Sequence, residues 1–234
     1  MEPCDLEQLR QQIFCLEGSR FHKGDGLVSS GCRAVDELLP EGGLHRGALA
    51  EWFAAGESIG ATALALLAAR QACGEGGMLI VADGRREFYP PALVRFGIPM
   101  GQFLVVHASS QADHFWALDQ ALRCRGVAAV LAWPNQLDGR TFRRLQLATE
   151  EGGGLGLVVR PAAARNAPSW AATRFLVEPL PIAAGRRGLR RVRINVLRCR
   201  GGIGPRSVDV EINDDGYQTH PLPLAARLAT PAAS

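Results

Sequence analysis

Ala48-Leu49-Ala50-Glu51-Trp52-Phe53-Ala54-Ala55-Gly56-Glu57-Ser58-Ile59-Gly60-Ala61-Thr62-Ala63-Leu64 is the stretch from which the fold can be read. Residues 48–53 are an apolar run of strand length. Gly56 and Gly60 mark a tight loop, and an Ala- and Leu-rich helix opens at Thr62 and runs to residue 73. Working outward, the same alternation continues. Further short apolar runs bounded by Gly, Pro or charge occupy 78–82, 103–107, 128–133, 155–159 and 175–177, as expected of strands buried on both faces. Amphipathic helical patterns fall between them at 91–96, 113–125 and 139–150; in the second of these Phe115, Leu118, Ala121 and Leu122 share a face. Strands alternating with helices over more than a hundred residues predict an α/β fold: a mostly parallel central sheet with helices on both sides, three layers in all.

A loop between a strand and a helix is also the setting of phosphate-binding loops of the form G-x-x-x-x-G-K-[ST]. Gly60 and Thr62 fit the second glycine and the hydroxyl residue of that pattern, but the first glycine position is Ala55, beside Gly56, and the lysine position is Ala61. The lysine ammonium bridges the β- and γ-phosphates and offsets charge that grows during transfer. Charge-assisted hydrogen bonds contribute about 1.5–3 kcal/mol each, and an alanine makes none. Helix and loop amides alone attract an anion weakly. Residues 55–62 therefore read as a degenerate phosphate loop; a plain strand-to-helix turn is the alternative. No catalytic residue and no cofactor is expected.

The two ends of the chain differ from its middle. Leu6, Leu9, Ile13 and Leu16 form one apolar stripe on a helix predicted over 5–17, which suits docking on the chain's own body or on a partner. Near the other end Val192, Ile194 and Val196 alternate with Arg191, Arg193 and Asn195, and Val208, Val210 and Ile212 alternate with Asp209, Glu211 and Asn213. The connector Gly201-Gly202-Ile203-Gly204-Pro205 between them predicts a β-hairpin with one apolar and one charged face. The expected organisation is an N-terminal helix and linker (1–23), a core (24–180), an arginine-rich hairpin (181–216) and an Ala/Pro-rich tail (217–234).

Composition bounds the remainder. The 234 residues are 47% hydrophobic and 21% charged, with a formal charge of +3, which fits a globular protein and is too small to imply nucleic-acid binding by itself. Where the charge sits matters more. No acid lies between Glu178 and Asp209, a stretch that holds Arg186, Arg187, Arg190, Arg191, Arg193, Arg198, Arg200 and Arg206. These arginines suit nonspecific contact with phosphates or an acidic partner surface. The local reading is that Arg191 and Arg193 pair across the hairpin with Asp209 and Glu211. Few aromatics are interleaved, so base stacking has no support in this stretch. The six cysteines form no C-x-x-C pair and have no histidine cluster, so neither a metal nor a disulfide is expected. No run is long and apolar enough for a membrane span and no signal pattern opens the chain, so a cytoplasmic place is expected.

The order of motifs carries a resemblance. Ser29-Ser30-Gly31-Cys32-Arg33-Ala34-Val35-Asp36-Glu37-Leu38-Leu39 and Gly42-Gly43-Leu44-His45-Arg46-Gly47 are similar to the opening motif of the RecA family, T-G-x-x-x-L-D-x-x-L-G-x-G-G-L-P-x-G, with the loop above at the family's spacing. Leu79-Ile80-Val81-Ala82-Asp83 looks like the family's second core strand and Pro90–Ile98 like the helix that follows. The segments 190–202 and 220–224 are similar to the ImuA type, a RecA-like group associated with SOS-induced mutagenesis. By this resemblance Ala61 stands at the phosphate-binding lysine, Trp133 at the metal-holding acid that should end the 128–132 strand, and Arg85 near the water-activating glutamate, with Asp83 and Glu87 close by. Trp133 is then expected to fill nucleotide space. The resemblance implies a noncatalytic accessory protein in error-prone translesion DNA synthesis. Its implied partners are an ImuB-like Y-family polymerase homologue, an error-prone replicative-type polymerase and RecA, with weak DNA binding and no membrane association. Two other readings stay open: a SulA-like inhibitor of the division protein FtsZ, and a DNA-dependent ATPase or recombinase with an atypical loop.

Overall fold

A computed structural model describes residues 26–56, 60–74, 76–134, 136–181, 189–202, 204, 206–213 and 219–221. The predicted helix with Leu6, Leu9, Ile13 and Leu16 lies outside these residues, as do Arg186 and Arg187. Chain order begins with β1 (Leu27–Val28), α1 (Arg33–Asp36), β2 (Leu44–His45), β3 (Ala48–Ala54) and α2 (Ala61–Cys73). There follow β4 (Met78–Ala82), α3 (Pro91–Arg95), β5 (Phe103–Val106), α4 (Gln111–Arg123), β6 (Val127–Ala132), α5 (Gly139–Gly152) and β7 (Leu155–Pro161). The last elements are β8 (Thr173–Pro179), β9 (Leu189–Cys199), β10 (Arg206–Asn213) and β11 (Thr219–Pro221).

β1 and β2 pair with each other, and the remaining strands form one sheet in the order β11-β10-β9-β8-β3-β7-β6-β4-β5. From β8 to β5 every neighbouring pair is parallel, as the strand–helix alternation predicts. The outer pairs β8–β9, β9–β10 and β10–β11 are antiparallel. The predicted C-terminal hairpin is therefore the continuation of the main sheet beyond β8, and its apolar face joins the main core.

Strand alternation separates two apolar layers. Ala50, Trp52, Leu79, Val81, Leu131, Leu157, Phe175 and Val177 face α2 and α3, together with Val192, Ile194, Val196, Val208, Val210 and Ile212 of the hairpin. Leu49, Ile80, Val130 and Val158 face α4 and α5, where Leu118, Leu122, Phe142 and Leu145 meet them. α2 lies under the sheet with most of its residues buried, and its Ala/Leu sequence, free of Gly and Pro, suits a helix that is apolar nearly all round. α4 and α5 are amphipathic and start on side-chain caps: Ser110 Oγ accepts from Asp113 N at 3.1 Å and Asp138 Oδ1 from Thr141 N at 2.8 Å. Among the described residues no helix is long and apolar enough to cross a membrane.

The parallel strands all end at one edge. From β4 the chain passes outward to β5 and then back across to β6. Connections leaving in opposite directions part the loops after β4 and β6 and open a crevice at that edge.

Candidate functional site

The strand–loop–helix read from the sequence occupies this edge. β3 runs into Ala55 and Gly56, and α2 begins at Ala61, so Thr62 lies in its first turn; residues 57–59 are not described. Gly60 precedes the helix with φ +98°, a region that favours glycine. A Cβ at Gly60 would also stand 3.0 Å from Ile212 Cδ1 of the hairpin. The hairpin and the helix after the loop are thus packed together at Gly60.

A cleft of about 950 Å³ opens beside the loop. Ala54, Ala55, Gly56 and Thr62 form one wall, Asp83, Gly84, Arg85, Glu87, Phe88 and Tyr89 another, and Trp133 and residues 159–163 the rest. Trp133 leaves the end of β6 and donates its indole N–H to Thr62 Oγ1 at 3.2 Å, and its ring lies 5.4 Å from that of Phe88. The hydroxyl that a working loop turns toward a metal ion thus accepts a hydrogen bond from an indole. Asp83 holds the loop after β4: its carboxylate accepts from the backbone amides of Arg85 at 3.2 Å, Glu87 at 3.3 Å and Phe88 at 3.0 Å. Arg85 lies 3.7 Å from Glu87. Arg160, 3% exposed, donates to Glu51 Oε1 at 2.9 Å. Among the described residues of this cleft, Arg85 thus lies beside Glu87 and Arg160 pairs with Glu51. Among the described residues no group of three or more His, Cys, Asp or Glu is placed to hold a metal ion.

A second pocket of about 460 Å³ shares Gly84, Arg85 and Trp133 with the cleft and is closed by Ser109, Ser110, Gln111, His114 and Gln136. Burial lowers the His114 pKa below its usual value, with the Asp83 charge opposing.

The structure brings Ala55, Gly56, Gly60, Ala61, Thr62 and Trp133 together. It separates the arginine-rich patch into unlike members. Arg191 Nη2 pairs with Glu211, and Arg193 meets Asp209 at 2.7 and 3.0 Å through two nitrogens. That is the local cross-strand pairing, and it holds the Arg193 pKa above its usual value. Arg190 and Arg198 lie on the same strand, β9, and Arg200 follows its end. Sequence reading missed the network around Glu51. This fully buried carboxylate on β3 takes Arg160, Arg174 Nε at 2.7 Å and the Ser169 hydroxyl at 2.6 Å. The available signal was an acid within an apolar strand, which requires cationic partners.

Parallel strand order, the strand–loop–helix at the sheet's edge and the cleft beside it define a RecA-like α/β protein. RecA of Chlorobium limicola is 29% identical over 143 residues, which is 56% of this chain and 41% of that protein. Protein ImuA of Caulobacter vibrioides is 30% identical over 221 residues, covering 87% of this chain and 90% of its own length, and the chain belongs to the ImuA family. The cell division inhibitor SulA of Photorhabdus laumondii is 27% identical over 92 residues, 39% of this chain and 52% of SulA. No family model matches the chain.

Proposed function

We propose that this protein is a noncatalytic accessory factor in SOS-induced, error-prone translesion DNA synthesis, acting through protein–protein contacts. The observation that carries the reading is the Trp133–Thr62 hydrogen bond in a cleft whose helix starts with Ala61. Both features of triphosphate chemistry are replaced: the lysine by a methyl group, the metal-holding acid by an indole. Membership of the ImuA family supports the cellular role. The partners it implies are an ImuB-like polymerase homologue, an error-prone replicative-type polymerase and RecA.

The test is steady-state ATP hydrolysis by the purified protein, with and without single-stranded DNA. The expected result is no turnover above the blank in either condition; DNA-stimulated turnover overturns the proposal in favour of an atypical ATPase. A division-inhibitor role rests on the shorter SulA match. Filamentation on expression, without any effect on damage-induced mutagenesis, would favour that alternative.

A further inference from the structure

The chain reverses direction at the edge where the parallel strands end. β4 passes outward to β5, and β6 passes inward to β7. In open α/β sheets, ligands settle in the crevice that such a reversal opens. The pocket of about 460 Å³ lies in that crevice. Gly84 and Arg85 reach it from the loop after β4, residues 108–111 from the loop after β5 and the start of α4, and Trp133, Pro134 and Gln136 from the end of β6.

Its chemistry differs from that of the neighbouring cleft. The cleft has two carboxylates in its wall, Asp83 and Glu87. Among the described residues that line the pocket there is none. Asp83 is close by, but it is 3% exposed, and its two oxygens accept the backbone amides of Arg85, Glu87 and Phe88. Arg85 brings a guanidinium, and its 3.7 Å approach to Glu87 is an exposed pair of the kind that contributes little. The side chains of Ser109, Gln111 and Gln136 are exposed and hydrogen-bond to no other described residue. Their hydroxyl and amide groups can turn donors toward an anion.

The aromatic side of the pocket is fixed in place. Trp133 is held at its indole N–H by Thr62 Oγ1, 3.2 Å away, and its ring lies 5.4 Å from that of Phe88. His114 lies against the loop after β4: a Cβ at Gly84 would stand 3.1 Å from His114 Nδ1, so the lack of a side chain there seats the imidazole. Indole and imidazole thus offer flat surfaces beside a guanidinium and uncommitted donors.

We propose that this pocket binds a small planar carboxylate. The carboxylate meets Arg85 and the donors of Ser109, Gln111 and Gln136, and the ring lies beside Trp133 and His114. A lining with a cation and no acid selects negative charge. Aromatic walls favour a flat apolar body. The volume falls in the range of small-molecule sites, roughly 300–1,000 Å³. Trp133 lines the cleft as well, so a bound ring braces the indole that Thr62 holds. The inference goes beyond the accessory reading and does not rest on it.

The test uses nitrogen-15-labelled protein and follows the indole N–H signals of its four tryptophans, with that of Trp133 assigned from Trp133→Phe. Benzoate is the probe and benzamide its uncharged counterpart. Benzoate is expected to move the Trp133 signal saturably while those of Trp52, Trp116 and Trp170 stay in place. Benzamide should bind about tenfold more weakly, in line with the loss of one charge-assisted hydrogen bond. Arg85→Gln should weaken benzoate binding to about the benzamide level and leave benzamide unchanged. Ser109→Phe, at the rim, should block both. Both substituted side chains are exposed, so circular dichroism of the variants should match the parent, which separates loss of binding from loss of fold. The absence of a saturable shift overturns the proposal, and so does benzoate affinity that Arg85→Gln leaves intact. Inorganic phosphate moving the same signal as strongly as benzoate would overturn the planar preference. None of these outcomes bears on ATP turnover, so this inference and the accessory reading fail separately.

Discussion

Glu51 sits in the middle of an apolar strand with 0% exposure, and its charge is met from two other strands and a loop. Arg160 is itself buried, and its Nε has no hydrogen-bond partner, so the carboxylate is what makes a buried guanidinium tolerable. Removing one partner of a buried ion pair leaves the other uncompensated, at a cost of about 3–5 kcal/mol. Glu51→Gln is therefore expected to lose stability in that range, read from denaturant unfolding midpoints. Adding Arg160→Met to the same chain should recover part of the loss, because the orphaned charge goes with it. A Glu51→Gln protein as stable as its parent would show that the network contributes nothing net. At the same scale, the proposed function rests on Ala61 and Trp133, which stand beside Thr62 at the cleft. Ala61 was legible from the phosphate-loop pattern and Trp133 from the resemblance to the RecA family. The indole's hydrogen bond to Thr62, 71 residues away in the chain, was not.

α4 and α5 pack side by side over the second apolar layer, and one carboxylate clasps them. Asp119 of α4 is 2% exposed and takes Arg123 from its own helix and Arg144 from α5, each at 3.0 Å. Burial works to raise the Asp119 pKa, but hydrogen bonds and charge from Arg144 and Arg123 outweigh it and hold the carboxyl below its ordinary value. A carboxyl depressed in the folded state stabilises the fold above its unfolded pKa, near 3.9. That contribution is lost as pH falls through the lower folded value. Asp119→Asn should thus unfold more easily than the parent at pH 7, by about 1 kcal/mol given that both arginines are partly solvated. The difference should persist down to about pH 5 and shrink below about pH 4. Unfolding midpoints across that range check it; a gap that widens toward acid contradicts the assignment. The helices themselves were read closely from periodicity, with shifts of a residue or two at their ends, where caps such as Ser110 decide the boundary.

Across the whole molecule the hairpin is the part whose place most changes the picture. Val192, Ile194, Val196, Val208, Val210 and Ile212 are all buried in the layer that holds Trp52 and Phe175, and Ile212 abuts Gly60. Burying one such side chain stabilises by about 1.5–3 kcal/mol, so six of them match the entire stability of an ordinary domain, about 5–15 kcal/mol. A chain ended at residue 181 is expected to lose cooperative thermal unfolding, monitored by near-ultraviolet circular dichroism. A truncated protein that melts in a single transition near the parent's temperature would mean the core closes without the hairpin. The same arrangement puts the arginine-rich strand β9 next to β8.

Local pattern settled the α/β class, the positions of the main strands and helices and the hairpin's two faces. Each of these depends on residues a few positions apart, within reach of a strand's two-residue or a helix's 3.6-residue repeat. Outside the hairpin, tertiary structure alone decided which charges meet. Glu51 finds Arg160 and Arg174 at separations of 109 and 123 residues, and the hairpin adds to the main sheet through β8. Ion-pair partners and strand neighbours are chosen when distant segments pack, so no repeat along the chain encodes them.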